Sequence, residues 1–181
     1  MESNQNDVNK EVEVMVCSYQ ADITYPGQKK FDCGNEVINK FARDSLKKSV
    51  RDGNCAAKAL IDKETGELLG FCTFSAYSLA RQKLDGVVSG SMPGEVGVVR
   101  LVMLGVATKV QKKGHGQDLT AEFFDQVKII HEALPVKGVY LDAAPDAVDF
   151  YIRLGFVELN EPANAFGAKP MFLAIQHILA A

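Results

Sequence analysis

The sequence lacks the signatures of several common protein classes. Its four cysteines are widely spaced, form no C-x-x-C pair and have no histidine cluster nearby, so neither a zinc site nor a disulfide framework is predicted. The sequence contains no run of about 18 or more uncharged apolar residues, the length that a membrane-spanning helix requires. The first eleven residues are polar and contain no apolar signal-peptide core. We therefore expect a cytoplasmic protein without a bound metal ion.

There is also no excess of positive charge. The formal net charge is -3 and the isoelectric point is about 5.6, which argues against binding nucleic acid through the overall field of the protein, although a local basic face is compatible with it. With 181 residues, 47% of them hydrophobic, the chain can bury one sizeable core. We predict a polar, flexible N-terminal tail over residues 1–11 and a single domain over residues 12–181.

Hydrophobic periodicity predicts the elements of the first half of the chain. Alternating valines around Val14 indicate a strand, and apolar residues at helical spacing over 37–50 indicate an amphipathic helix. Two apolar segments, 55–61 and 67–77, flank a glycine-containing turn and predict a hairpin. Residues 78–94 show no periodicity and are predicted to form a long loop.

The second half begins with a nearly continuous apolar segment, 96–107, as expected for a central strand covered on both faces. An apolar stripe from Leu119 to Leu134 then predicts a helix of about five turns. The remaining predicted elements are a strand at 139–141, a helix between Pro145 and Gly155, and strands at 156–159 and 170–178. This order favours an α/β (α+β) fold with a mixed, mostly antiparallel sheet of six to seven strands.

A glycine-containing loop joins the predicted central strand to the longest helix. Two glycines flanked by lysines at a helix N-terminus present backbone N–H groups and the positive end of the helix dipole to an anion. A dinucleotide-binding fold would need a third glycine where Leu119 stands, and a P-loop would need Lys-Ser/Thr where Gln117 and Asp118 follow Gly116. The loop thus predicts an anion site of another kind, with a simple tight turn as the alternative.

Two sequence motifs indicate which kind of ligand this site binds. Gln111-Lys112-Lys113-Gly114-His115-Gly116 fits the pattern Q/R-x-x-G-x-G/A, and Phe150-Tyr151-Ile152-Arg153-Leu154-Gly155-Phe156 fits F-Y-x-x-x-G-F. They lie about 35 residues apart with a predicted helix and strand between them. In these motifs and their order, from about Phe31 to Ile178, the chain resembles the GNAT family of acyl-CoA dependent N-acetyltransferases. The resemblance implies the GNAT fold and acetyl-CoA as the acyl donor.

The resemblance also implies roles for individual residues. The backbone of Leu104, Gly105 and Val106 would pair with the pantetheine arm of the donor. Tyr151 is the candidate general acid, because a phenol with a pKa near ~10 carries its proton at neutral pH; the alternative is a core aromatic residue. No general base is assigned, although Glu95 is worth testing. The pyrophosphate would bind at the loop, on Gln111, Lys112, Lys113, Gly114, His115, Gly116 and Gln117.

Three further segments, Phe31-Asp32-Cys33-Gly34-Asn35, Met92-Pro93 and Pro170-Met171, resemble the acetyltransferase toxins of bacterial toxin-antitoxin pairs. The chain differs from that subgroup at Met103 and Ala107, where an arginine and an aspartate are usual. The resemblance implies aminoacyl-tRNA as the amine acceptor, a ribbon-helix-helix antitoxin as partner, and a homodimer. A small-molecule amine or a protein N-terminus as acceptor, or a non-catalytic CoA-binding regulatory module, are the alternatives.

Overall fold

The structure is a computed structural model that describes residues 12–181. The predicted tail, residues 1–11, lies outside the described residues. Seven strands form one sheet in the order β1-β2-β3-β4-β5-β7-β6, and every neighbouring pair is antiparallel except β4 and β5. The mixed, mostly antiparallel sheet predicted from the sequence is confirmed. The strands are β1 (Val14–Ser18), β2 (Ala56–Asp62), β3 (Leu68–Ala80), β4 (Glu95–Val106), β5 (Gly138–Ala143), β6 (Val157–Glu158) and β7 (Lys169–Ala174).

The predicted N-terminal helix is present as a continuous run of three segments. Asn35 caps its start, where the side-chain oxygen accepts hydrogen bonds from the backbone N–H groups of Val37 and Ile38 at 3.0 and 3.3 Å. The helices are α1 (Glu36–Lys40), which continues through a π-helical turn (Phe41–Ser45) into α2 (Leu46–Arg51), then α3 (His115–Ala133), α4 (Val148–Arg153) and α5 (Ile175–Ala180). Short 3-10 turns lie at Gln28–Lys30, Arg81–Leu84 and Thr108–Val110.

Two of the sequence predictions are corrected at strand ends. The strand predicted over 170–178 ends at Ala174, and the remaining residues begin α5, so that His177 lies on a helix. Ile175 and Ile178 are both buried and lie three residues apart, which is helical spacing, but a short apolar run does not distinguish a strand from a buried helix. The loop predicted over 78–94 is shorter, because β3 continues pairing with β4 as far as Ala80.

The sheet has two differently covered faces. Side chains alternate along a strand, so Phe71 and Phe74 of β3 point to opposite sides. The ring of Phe74 lies 5.1 Å from that of Phe123 on α3, and the ring of Phe71 lies 5.4 Å from that of Phe31, which precedes α1. We call these sides the α3 face and the α1 face.

No helix in the described part of the chain combines the length and the hydrophobicity that crossing a membrane requires.

Candidate active site

The candidate site lies where β4 separates from β5. These parallel strands pair only at Val99 with Val139 and at Arg100 with Tyr140. A β-bulge follows on β4, because Leu101 pairs with Phe74 and Met103 with Thr73, which leaves Val102 as the extra residue. Among the described residues, β4 has no partner on its β5 side beyond Arg100. A wedge with one unpaired strand edge therefore opens along residues 101–106.

This wedge corrects the prediction that the central strand is covered on both faces. In the first half of β4, Val96, Val98 and Val99 are buried, but beyond it the side chain of Val102 is 41% exposed. Leu104 and Val106 are half-buried, and Gly105 is buried on the α1 face. A Cβ at Gly105 would lie only 2.8 Å from a methyl carbon of Ile38. Glycine at this position thus allows α1 to pack directly against the wall of the wedge.

The side chain of Gln111 links the loop between β4 and α3 to two neighbouring segments of the chain. The Gln111 amide donates hydrogen bonds to the carbonyl oxygens of Val106, at 2.8 Å, and of Cys33, at 2.9 Å. The backbone then turns through a positive φ of 62° at Lys112 and 86° at Gly114, which precedes the first residue of α3. Gln111 thus ties the loop to the end of the wedge.

The backbone N–H groups of residues 112–116 are the main polar feature of this loop. Within the described chain, none of the five donates a hydrogen bond. Free N–H groups at the start of a helix are the usual donors to bound phosphate, and the dipole of the 19-residue helix α3 adds positive potential there. The loop therefore offers an anion five free backbone donors and a positive potential.

An open cleft of about 610 Å³ lies on this loop. It contains most of the residues predicted to bind the donor, but Leu104 and Gly105 lie on the wedge instead, and neither Lys113 nor Tyr151 lines the cleft. Motif analysis missed four of the lining residues, although Phe150 and Arg153 lie three apart on α4 and share a helix face. The lining consists of Val106, Val110, Gln111, Lys112, Gly114, His115, Gly116, Gln117, Asp146, Phe150 and Arg153.

The charges around the cleft are mostly positive. Lys112 and Arg153 line it together with a single carboxylate, that of Asp146. The imidazole of His115 faces Asp118, with 3.2 Å between Nδ1 and the carboxylate oxygen. Together with the free N–H groups, the side chains of Lys112 and Arg153 give a surface that suits a pyrophosphate better than a neutral ligand.

Tyr151 lies on α4, buried next to the wedge. Its ring packs edge-on against Phe150 at 5.1 Å and Phe156 at 5.5 Å, and the residue is 8% exposed. Burial, and to a smaller extent the nearby thiol of Cys72, raises the pKa of Tyr151 above that of a free phenol. No other described residue accepts or donates a hydrogen bond at its hydroxyl group. Tyr151 is thus a neutral phenol with its proton available.

Glu95, the residue considered as a base, lies at the other end of β4. Its carboxylate accepts a hydrogen bond from the Ser78 hydroxyl at 2.6 Å. Five residues of strand, or about 17 Å, separate it from Arg100, where the wedge begins. The structure therefore gives Glu95 no position from which to act on a group bound in the wedge.

A sheet with a wedge between two parallel strands, followed by a loop with free N–H groups at a helix start, is the arrangement expected of an acyltransferase of the GNAT class. The family model for the acetyltransferase (GNAT) domain matches residues 27–171. The chain belongs to this family. The predicted fold and the predicted acetyl-CoA dependent N-acetyltransferase class are confirmed.

Solved structures resemble the whole described chain. A bacterial toxin is 69% identical in sequence, with a TM-score of 0.91, over 93% of this chain and 94% of that chain. The toxin-antitoxin complex KacTA bound to DNA is 26% identical, with a TM-score of 0.75, over 93% and 97%. The toxin AtaT complexed with acetyl-methionyl-tRNAfMet is 21% identical, with a TM-score of 0.80, over 93% and 98%, and shows a shared fold.

The raised pKa of Tyr151 predicts a pH effect on stability. An unfolded tyrosine loses its proton near pH ~10, whereas Tyr151 keeps its proton in the folded protein at that pH. Its contribution to stability is therefore complete below about pH 10 and falls as the pH rises further. Between about pH 10 and 11, we expect the free energy of unfolding to fall more steeply for the wild type than for Tyr151→Phe, by up to about 1.4 kcal/mol per pH unit.

Urea unfolding of both proteins at closely spaced pH values measures this difference. Phenylalanine fits the same edge-on packing and has no proton to lose, so the pair isolates the phenol. Parallel pH profiles for the two proteins would contradict the raised pKa.

Proposed function

We propose that this acetyltransferase transfers the acetyl group of acetyl-CoA directly to the α-amino group of an aminoacyl-tRNA, and that it thereby acts as a toxin in the cytoplasm. The observation that carries the proposal is the 69% identity to a bacterial toxin over nearly the full length of both chains. The complex of AtaT with acetyl-methionyl-tRNAfMet supports the choice of acceptor, since it shares this fold.

The donor binds along the wedge and the loop. Leu104, Gly105 and Val106 pair their backbone with the pantetheine arm, as an added strand pairs with a sheet edge. The free N–H groups of residues 112–116 hold the pyrophosphate at the start of α3, and Lys112 and Arg153 balance its charge. This assignment uses the unpaired strand edge and the unpaired N–H groups, which have no other partner in the described structure.

Tyr151 supplies a proton to the leaving group. The nitrogen of the amine attacks the thioester carbon, the carbon–sulfur bond breaks, and the departing sulfur takes the phenolic proton. A buried phenol with a raised pKa is fully protonated at neutral pH. An α-amine has a pKa near ~8, so that a useful fraction is already neutral and loses its proton to water after attack. A dedicated protein base is therefore unnecessary.

The similarity to solved toxin structures also suggests which proteins this chain binds. The toxin AtaT has been solved with acetyl-CoA and the C-terminus of the antitoxin AtaR, and KacTA is a toxin-antitoxin complex on DNA. We propose that this chain binds a ribbon-helix-helix antitoxin and forms a homodimer.

Transfer to charged tRNA tests the acceptor. We expect purified protein to move radiolabelled acetyl from acetyl-CoA onto bulk aminoacyl-tRNA, and to leave uncharged tRNA unlabelled because it lacks the α-amine. A panel of polyamines, amino acids and peptides serves for comparison. Labelling of a small amine or a peptide N-terminus but not of charged tRNA would contradict the proposed acceptor, and CoA binding without thiol release on any acceptor would indicate a non-catalytic module.

Replacing Tyr151 tests the acid. We expect Tyr151→Phe to lower kcat by about 100-fold or more, because the sulfur then leaves without a proton donor, while the KM for acetyl-CoA changes little. The matched control is Tyr25→Phe, another buried tyrosine, which contacts Tyr19 and lies outside the cleft. Steady-state kinetics of thiol release measure both variants. Wild-type kcat in Tyr151→Phe would reject the acid role.

A further inference from the structure

The two faces of the sheet give the two substrates separate approaches to the wedge. The ring of Tyr151 lies 5.5 Å from that of Phe156, which in turn lies 6.2 Å from the ring of Phe124 on α3, so Tyr151 packs on the α3 face. The donor loop leads into α3 itself. The proton donor and the pyrophosphate site thus lie on the α3 face, which leaves the α1 face for the incoming amine.

A polar and aromatic cluster occupies the α1 face at the start of the wedge. Arg100 is next to Leu101, which pairs with Phe74 on the α3 face, so the side chain of Arg100 points to the α1 face. Tyr140 pairs with Arg100 across β4 and β5, and directly opposite residues share a face. By the same alternation, Tyr77 and Asp142 also lie on the α1 face. We call these four residues, Tyr77, Arg100, Tyr140 and Asp142, the acceptor platform.

The acceptor platform is held together by specific contacts. The Arg100 guanidinium donates to one oxygen of Asp142 at 2.9 Å, and the Tyr140 hydroxyl donates to the other oxygen at 2.9 Å. The guanidinium carbon lies 5.0 Å from the ring centre of Tyr77. The rings of Tyr77 and Tyr140 stack at 5.4 Å with an angle of 17°. Tyr77 nevertheless remains 39% exposed, so part of this aromatic side chain is open to solvent next to Arg100.

Unpaired polar atoms mark the same face. In the described structure, two side-chain atoms that are themselves fully shielded from solvent have no hydrogen-bond partner, Arg100 Nε and Thr73 Oγ1. Thr73 lies two residues before Ser75, the pairing partner of Arg100, so both atoms belong to the α1 face. Buried polar groups are nearly always paired in folded proteins. Both exceptions therefore lie on the face that is left for the incoming amine.

We propose that the acceptor platform binds the 3′-terminal nucleoside of the aminoacyl-tRNA, whose base stacks on Tyr77. This inference rests on the proposed function, because it assumes an RNA-linked amine. Exposed aromatic rings and arginine planes are the usual stacking partners of unpaired bases. A ribose hydroxyl or the ester carbonyl of the acceptor would lie against the exposed part of the Arg100 side chain, which is 35% exposed.

The Asp142 carboxylate favours a base over a phosphate at this position. It accepts hydrogen bonds from both Arg100 and Tyr140 and offsets the charge of the guanidinium. A charge-neutralised arginine attracts a phosphate less strongly, but it keeps its planar surface and its free N–H group.

A comparison of two acceptors with the same amine tests the proposal. One acceptor is a tRNA charged with a single amino acid, and the other is the methyl ester of that amino acid, which lacks a nucleoside. We expect Tyr77→Leu to raise the ratio of the KM for charged tRNA to the KM for the ester by about tenfold, because stacking on the ring is lost. Tyr77→Phe keeps the ring and is expected to restore the wild-type ratio.

The possible failures are distinguishable. An unchanged KM ratio in Tyr77→Leu, with wild-type protein active on charged tRNA, overturns the platform and leaves the proposed function standing. An equal rise in both KM values also overturns the platform. The ring would then affect binding of the amine whether or not a nucleoside is attached. Activity of the wild type on the ester but not on charged tRNA would overturn the proposed function, and the platform with it. Thermal unfolding monitored by circular dichroism shows whether Tyr77→Leu is folded.

Discussion

The separation of β4 from β5 after Arg100 is the constraint on which the site depends. The bulge at Val102 ends the parallel pairing while β4 continues its antiparallel pairing with β3. An unpaired edge inside a sheet leaves backbone polar groups without partners, which is costly unless water or a ligand satisfies them. The strand edge thus calls for a ligand that can pair as a strand does. A pantetheine arm with two amide groups meets that requirement in a GNAT acetyltransferase.

The two faces of the sheet also carry different functional groups next to the wedge. On the α3 face, free N–H groups at 112–116 and a buried phenol at Tyr151 suit an anionic donor and a leaving thiolate. On the α1 face, Tyr77 and Arg100 present a flat, polar surface. Direct transfer between two bound substrates needs this arrangement, since the amine must approach the thioester carbon while the sulfur leaves on another side. The sheet supports both walls and keeps their spacing fixed.

Sequence patterns predicted the loop and the long helix well, because both are marked by a local signal, two glycines before an apolar stripe. The acid role of Tyr151, taken from adjacent aromatics before a glycine, stays a prediction. Sequence patterns did not predict the bulge at Val102. The segment 96–107 is apolar on either side of it, and the register of a strand depends on its neighbours rather than on its own periodicity. Nor did they predict the acceptor platform, whose residues come from β3, β4 and β5 and share no motif. Gln111, predicted to bind the donor, lines the cleft, and its side-chain amide also donates to two backbone carbonyls, which the motif alone did not show.

Hydrogen exchange tests most directly whether the donor completes the strand edge. The relevant amides are those of residues 101–106, and an edge strand far from the site, Val14–Ser18, provides the internal control. With acetyl-CoA at about 100 times its Kd, exchange at 101–106 is predicted to slow by up to about 100-fold, while exchange at Val14–Ser18 stays unchanged. Slower exchange at 112–116 alone, with residues 101–106 unaffected, would contradict the account, because the donor would then bind the loop without entering the wedge.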